Sequence, residues 1–490
     1  MSRTIYLKNG RILLQSCPNT YSRSLTIQDG RVCEINGSAP DGASVVDLHG
    51  RFAMPGFVDS HLHLVQGASG MGEVDLREIH SKEEFQKALL DAYKNKATGD
   101  WLVGSGWTQE KLGGSPDSSW FPNDVDIPML CYRVDFHSAV LNDEALSALP
   151  LDRIESMTGG SCIRKGIVKE DALYEGVCPL MPEVLVNVKR AKTMQVLKTM
   201  QAKGITLIGS MEDNCDVIVL DMLELSQNMR IRVMVLDLPT CSVLQDCRSY
   251  DNEFLKVYGF KAFIDGSLGS RTAKMYDSWE DCDGSGVWAG LAAKKQLRSW
   301  VDDVARAGFA PVMHAIGDEA VGEALAAIAT VVEEKLPRIE HAQFIDDRDI
   351  GKIKGVMFGV QPLHQPGDAA IAHQAVGAKR VQHLHNWRRM LDAGARLSFG
   401  SDWPVADADP IAAMQVAINN GLTVDEALVA STRQAAESLG EPLSGVLTVG
   451  SNGDVAILDC NPFEIDWKVS RPSVTMTILA GNIVYEKEEV

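Results

Sequence analysis

Gly56-Phe57-Val58-Asp59-Ser60-His61-Leu62-His63 is the stretch on which the fold turns. Its apolar opening and polar close read as a buried strand that carries its chemistry at the C-terminal end. Along a strand, residues i and i+2 face the same side, so His61 and His63 point together and can share one cation. Spacing alone does not decide this, because the chain has 11 histidines and repeats the pattern at His383-Leu384-His385. That second copy precedes Asn386 to Leu391 in what reads as helix, where i and i+2 diverge, so it is expected to be structural or surface. His49, His80 and His373 are expected to be solvated or locally hydrogen-bonded.

Working outward, short apolar runs ending on polar residues recur at Ile205–Glu212, Ile231–Leu238, Phe260–Asp265, Pro311–Ile316, Arg338–Ala342, Val356–Gln361 and Arg396–Asp402. Helical periodicity separates them at Val184–Lys203, Lys294–Ala307, Ala320–Glu334 and Thr423–Leu439. This α/β alternation, with eight strands in all, predicts a (β/α)8 TIM barrel. At the N-terminus, Thr4–Leu14 and Ser24–Ile35 alternate apolar and polar residues around Asn9-Gly10 and Asp29-Gly30, and read as hairpins. The C-terminus repeats the style at Asp454–Asp459 and Val474–Glu486. Neither end has enough strands to stand alone, so both are expected to build one small β-sandwich. The boundaries expected are 1–53 and 445–490 for the sandwich and 54–444 for the barrel. Residues 64–183 are too many for a βα connection and form an inserted subdomain. Leaving from the C-terminal rim, it is expected to wall the barrel mouth and select substrates.

The 490 residues, 45% of them hydrophobic and 23% charged, provide for a large core. A formal charge of -19 excludes nucleic acid as an expected partner and argues against an anionic membrane. No run approaches the roughly 20 apolar residues of a membrane helix. The start, MSRTIYLKNGRILLQ, lacks the apolar core of a signal peptide, so a cytoplasmic protein is expected. The 10 cysteines contain no CxxC pair, and most are expected to be buried, inert thiols.

Four more polar residues fall at the ends of later strands: Lys261, His314, His341 and Asp402. With His61 and His63 they converge on one rim, where unpaired charge is costly unless bound to metal. The set resembles the amidohydrolase superfamily, in the branch of N-substituted formamide deformylases and related metal-dependent hydrolases (amidohydrolase family 3). The motifs are MPGFVDSHLHL (Met54–Leu64), KAFIDGSLGSRTA (Lys261–Ala273), HAIGDEAV (His314–Val321), RIEHAQ (Arg338–Gln343), GSDWPV (Gly400–Val405) and GDVAILDCNP (Gly453–Pro462). The resemblance implies His61 and His63 on one metal, His314 and His341 on a second, and Lys261 as a bridging ligand. Asp402 becomes both ligand and proton carrier.

One or two divalent cations are implied, zinc first, although such ligands also suit iron, manganese and cobalt. An ammonium cannot ligate, so Lys261 would serve as a carbamate (N6-carboxylysine) bridging metals roughly 3.5 to 4 Å apart. The alternative is a free ammonium paired with Asp265 or Asp402 in a one-metal site. Trp107, His137, Arg271, Gln361 and His364 are candidates for contact with a small-molecule substrate. Phe136 stands where the resemblance leads one to expect glycine, and its bulk is expected to alter the pocket. The activity implied is cleavage, by metal-activated water, of a C–N bond in an N-acyl or N-formyl amine, a cyclic amide or a urea. Rival readings are a metal-dependent decarboxylase or other lyase on the same barrel, and a non-catalytic metal-binding regulator. Assembly as a homodimer is left open.

Overall fold

Short runs dense in β-branched and aromatic residues become strands wherever both faces can be buried, and here eight of them stand parallel in one sheet. The computed structural model describes residues 3–70, 73–97, 100–221, 229–329, 331 and 337–488. The barrel strands are β1 (Phe57–Leu62), β2 (Ile205–Glu212), β3 (Arg230–Val235), β4 (Leu255–Phe263), β5 (Ala310–Ala315), β6 (Arg338–His341), β7 (Met357–Val360) and β8 (Arg396–Phe399). Each pairs with the next in chain order. The C-terminal ends of β1 and β8 meet: Asp402 N–H donates to His61 O at 2.7 Å and His63 N–H donates to Trp403 O at 2.8 Å. Gly400 permits this, since a Cβ there would lie 2.5 Å from the His61 Cβ.

The strand expected from Phe260 starts five residues earlier, at Leu255. Gly259 hides the continuity: it sits at a register shift against β3, and a Cβ there would meet Ala310 O at 2.4 Å. The helix expected over Thr423–Leu439 is two, Val424–Ser431 and Arg433–Ser438. Ser431 and Thr432 donate back to the carbonyls of Ala427 and Leu428, a competition with the backbone that bends helices. The helix read from Ala320 spans Asp318–Ile328, and the end expected at residues 330 and 332–334 lies outside the described residues. No described helix is long and apolar enough to cross a membrane.

The termini do share one core. A four-stranded and a six-stranded sheet face each other across Ile5, Leu7, Ile12, Leu25, Ile457 and Ile478, all buried. Val455–Leu458 from the C-terminus pairs with Phe52–Pro55 from the N-terminal part. Asp29-Gly30 turns a hairpin as expected. Asn9-Gly10 does not: Thr4–Lys8 and Arg11–Gln15 belong to different sheets. The chain crosses between them there, pressed so close to Leu48 that a Gly10 Cβ would lie 2.4 Å from its Cδ1.

Within 64–183 a five-stranded sheet is sandwiched by two apolar clusters, one around Leu130, Ile154 and Leu173 and one around Phe85, Leu102 and Trp107. This layer rests on loops that follow β4. Gln109 Nε2 donates to Gly269 O at 3.0 Å, and Gly290 N–H donates to Asp171 Oδ1 at 3.2 Å. The insertion therefore lies on the C-terminal rim.

Candidate metal centre

A shift in register between Asp59 and Leu62, at the end of β1, re-aims the strand so that His61 and His63 both face inward. Their Nε2 atoms lie 3.2 and 3.4 Å from one carboxylate oxygen, Asp402 Oδ1. Asp402 sits just past β8 with φ 57, a left-handed conformation that Asp tolerates better than most residues. On β6, Arg338 and Glu340 point into the barrel, and strict alternation would turn His341 away. Left-handed backbone at His341 (φ 71) and Ala342 (φ 43) breaks the alternation. The His341 ring is brought 5.0 Å from that of His61 and 4.4 Å from that of His314.

Among the described residues, two groups have donor atoms within 4.8 Å of one another: His61, His63, Asp402 and His341, His364, Asp402. His314 stands beside the second group, with Nε2 donating to Gly266 O at 3.1 Å, which leaves Nδ1 as its lone-pair nitrogen. His364, expected as a substrate contact, joins His341 and Asp402 in that group. It follows β7 and reaches to 3.9 Å from Asp402 Oδ2.

The electrostatics suit a cation. Burial pushes His314 and His341 well below the ordinary histidine value, and lowers His63 and His364 too, so the imidazoles stand neutral as ligands must. Burial alone would raise Asp402, but His61, His63 and His341 around it hold the carboxyl well below the usual carboxylate range. Lys261 is buried, and that burial lowers its amine to about 8. Its Nζ lies 3.4 Å from His61 Nε2. Pairing with Asp265 is ruled out by the site, because Asp265 caps the turn after β5 and accepts the N–H groups of Lys274, Ile316 and Gly317.

Nitrogens left without partners test the fit to a metal. His341 Nδ1 and His364 Nε2 are buried and unpaired, a costly arrangement in a dry site unless a ligand completes it. With an imidazole and carboxylate donor set, these residues fit a divalent transition metal.

Glu340 escaped the sequence reading. Fully buried, its Oε2 lies 2.6 Å from His61 Nδ1, and its Oε1 is 2.9 Å from Arg338 Nη2. That ion pair lacks hydrogen-bond alignment, since the same Nη2 donates to Ser60 O at 3.1 Å. Burial would raise Glu340, yet Arg338 and His61 hold it at about 2. The available signal was alternation: Arg338 and Glu340 are two charges at i and i+2, on one face of a four-residue buried strand.

The other candidates divide. Gln361 is buried at the end of β7 with Oε1 unpaired, next to His364 in sequence. His137 reaches from the insertion to 5.0 Å from the His314 ring. Burial opposes its charge, but Glu170, Asp135 and Asp265 outweigh it and raise the imidazole to about 9. Trp107 is a correction: its ring belongs to the insertion's core and its indole N–H donates to Cys131 O at 2.8 Å, so it presents nothing to a substrate. Arg271 is committed to Asp281 at 2.7 Å and to Leu268 O at 2.8 Å, which fix its own loop. Phe136 turns away from the pocket into the insertion's other apolar cluster, 5.3 Å from the Tyr132 ring. Its φ of 59 explains the expectation of glycine. The second His-x-His is not helical: His383 ends a 3-10 turn and bonds Arg389, while His385 is held by Asp368 at 2.8 Å.

A barrel carrying paired imidazole and carboxylate groups at its C-terminal rim defines a metal-dependent hydrolase class, and known proteins agree. Residues 44–485 match the amidohydrolase family, and the chain belongs to it. It is therefore a hydrolase of carbon–nitrogen bonds. It is 29% identical to Protein LONG AFTER FAR-RED 3 of Arabidopsis thaliana, over 98% of this chain and 91% of that protein. It is 21% identical to an N-substituted formamide deformylase of Arthrobacter pascens, over 99% of each. The crystal structure of an uncharacterized metal-dependent hydrolase from Pyrococcus horikoshii superposes with a TM-score of 0.78 at 27% identity, over 95% of this chain and 99% of that one.

Proposed function

We propose that the protein cleaves the C–N bond of an N-acyl or N-formyl amine, a cyclic amide or a urea, with zinc at the rim and Asp402 as proton carrier. One observation carries the reading: Asp402 lies between the two groups, Oδ1 toward His61 and His63 and Oδ2 toward His364. When bound, divalent cations supply Lewis acidity, polarising a carbonyl and lowering the pKa of water from about 15.7 toward about 7. Asp402, anionic at neutral pH, accepts the proton of the attacking water and returns it to the departing nitrogen, which otherwise leaves as a poor amide anion. Glu340 accepts from His61 Nδ1 and so keeps Nε2 free for a cation.

Lys261 is assigned as a carbamate. Its amine lone pair attacks carbon dioxide, an N–H proton leaves, and the resulting anion offers two oxygens. An amine brought to about 8 is neutral in a sizeable fraction near neutral pH, which favours that reaction. The 10 cysteines, all unpaired, support the expected cytoplasmic location. Elemental analysis, followed by a panel of N-formyl amines, N-acetyl amines, cyclic amides and ureas with zinc restored, tests the activity. Labelling with 13C-bicarbonate tests the carbamate. A metal-replete protein inert on the whole panel would overturn the reading. Loss of the carbamate resonance in Lys261→Ala is expected.

A further inference from the structure

His137 hangs from the insertion over the barrel, its ring 5.0 Å from His314 and 6.4 Å from Phe263. Its Nδ1 is tied to Glu170 Oε2 at 3.0 Å, and the Glu170 N–H donates to His137 O at 3.2 Å. Glu170 is buried and has a strained backbone (φ 45), immediately before Asp171 and the π-helical turn Ala172–Val177, a form that concentrates at functional sites. The barrel makes room for its carboxylate. A Cβ at Gly266, on the loop after β4, would lie 2.1 Å from Glu170 Oε1. Neighbouring Asp135 is likewise fixed by Arg133 at 2.8 Å and Ser270 at 3.0 Å. Gly266 also clears Thr272 Oγ1, 2.2 Å from such a Cβ, so the feature that packing of the insertion alone would not require is the strained Glu170. Glu170 holds one imidazole at the edge of the metal groups, with Nδ1 committed and Nε2 left for a ligand.

We propose that His137, positioned by Glu170, donates a hydrogen bond from Nε2 to the carbonyl oxygen of the substrate's acyl group. The insertion then supplies an oxygen-binding donor to the site that Asp402 serves from the barrel. No proton changes hands: His137 strengthens its bond as charge develops on that oxygen, which makes it a transition-state contact. The proposal rests on the hydrolase reading above. Its test loads wild type, His137→Ala, His137→Gln and Glu170→Gln with zinc, assays them on N-formyl and N-acetyl amines, and measures bound metal in the same samples. His137→Ala is expected to lose about 100-fold in kcat, the usual effect of removing such a donor, with KM and metal content unchanged. His137→Gln, which keeps an amide donor, recovers part of the rate, and Glu170→Gln falls between. A His137→Ala enzyme at the wild-type kcat overturns the proposal, as does a loss of rate that tracks loss of metal. If wild type turns over no amide, the hydrolase reading fails by itself, and calorimetric titration with acetohydroxamate reads the donor separately. Binding about 10-fold weaker in His137→Ala, or about 1.4 kcal/mol, supports it, and equal binding overturns it.

Discussion

The two ends of this barrel both bury charge, with opposite results. At the base, Arg230 is fully buried, yet it meets Asp454 Oδ2 at 2.7 Å and Glu253 Oε1 at 3.0 Å. Its neighbour on the strand face, Arg232, meets Glu441 at 2.8 Å and donates to the carbonyls of Ile231 at 2.8 Å and Glu253 at 3.0 Å. At the rim, His63, His341 and His364 keep buried nitrogens with no partner. Left-handed backbone occurs there, at Phe136 (φ 59), Glu170 (φ 45), His341 (φ 71) and Asp402 (φ 57), as it does at turns of the sandwich such as Asn9 (φ 59) and His49 (φ 48). Satisfied charge stitches the barrel to the sandwich. Unsatisfied nitrogen, in the same fold, marks the end built for a ligand.

The largest effect expected is at the rim. Asp402→Asn keeps the size, one oxygen and a residue at ease in left-handed backbone, but removes the base. Hydrolysis should fall by about 100- to 10,000-fold, the usual worth of general acid–base catalysis, while the histidines retain part of the metal. Metal analysis beside kcat on the same preparation checks this, and a variant that keeps both metal and rate would show that Asp402 is not the proton carrier. At the base the expectation inverts. Asp454→Ala strands the buried Arg230 guanidinium and should cost about 3–5 kcal/mol of stability in denaturant melts, with kcat unchanged. A drop in kcat without a change in stability would erase the distinction between the ends.

Most of the barrel was legible because short apolar strands with chemistry at their C-terminal ends leave a local trace. His61, His63, Lys261, His314, His341 and Asp402 were singled out that way, and the structure brings them to one rim. What escaped depends on contacts distant in sequence. Glu340 reads as an ordinary strand residue until barrel closure brings His61 of β1 across the interior to it, and Trp107 reads as a substrate wall until the insertion closes around it. Asn9-Gly10 has the sequence of a hairpin turn, and only the approach of Leu48 shows that the chain changes sheets there. The approach of His364 to Asp402 lay equally beyond reach, since it depends on how the turn after β7 folds back toward the end of β8.

A pH experiment sharpens the comparison at the rim itself. Glu340 is held at about 2, below the ordinary glutamate value of 4.5. A depressed carboxyl contributes stability that is fully present above the unfolded value and lost as pH falls through the folded one. The advantage of wild type over Glu340→Gln, on the order of 3 kcal/mol, should therefore shrink between pH 4.5 and about 2. Urea midpoints of the two metal-free proteins across that window measure it. A gap that stays constant there would mean that the carboxyl is not ionised in the fold.

The smallest effect concerns the strained backbone that delivers His137. Phe136 pays for a left-handed φ of 59 with burial against Tyr132, so the two contributions can be separated by substitution. Phe136→Ala loses the ring and keeps the strain. Phe136→Gly loses the ring and removes the strain, because glycine takes φ above zero as readily as below. In ordinary strand or helix positions glycine is the less stable of the two by roughly 0.5–1 kcal/mol. Here the order should reverse: both variants fall below wild type, with Gly the more stable by about 1 kcal/mol, near the lower bound of what a left-handed non-glycine residue costs. Paired urea melts resolve a difference of that size. If Ala is the more stable, the backbone at Phe136 is not strained.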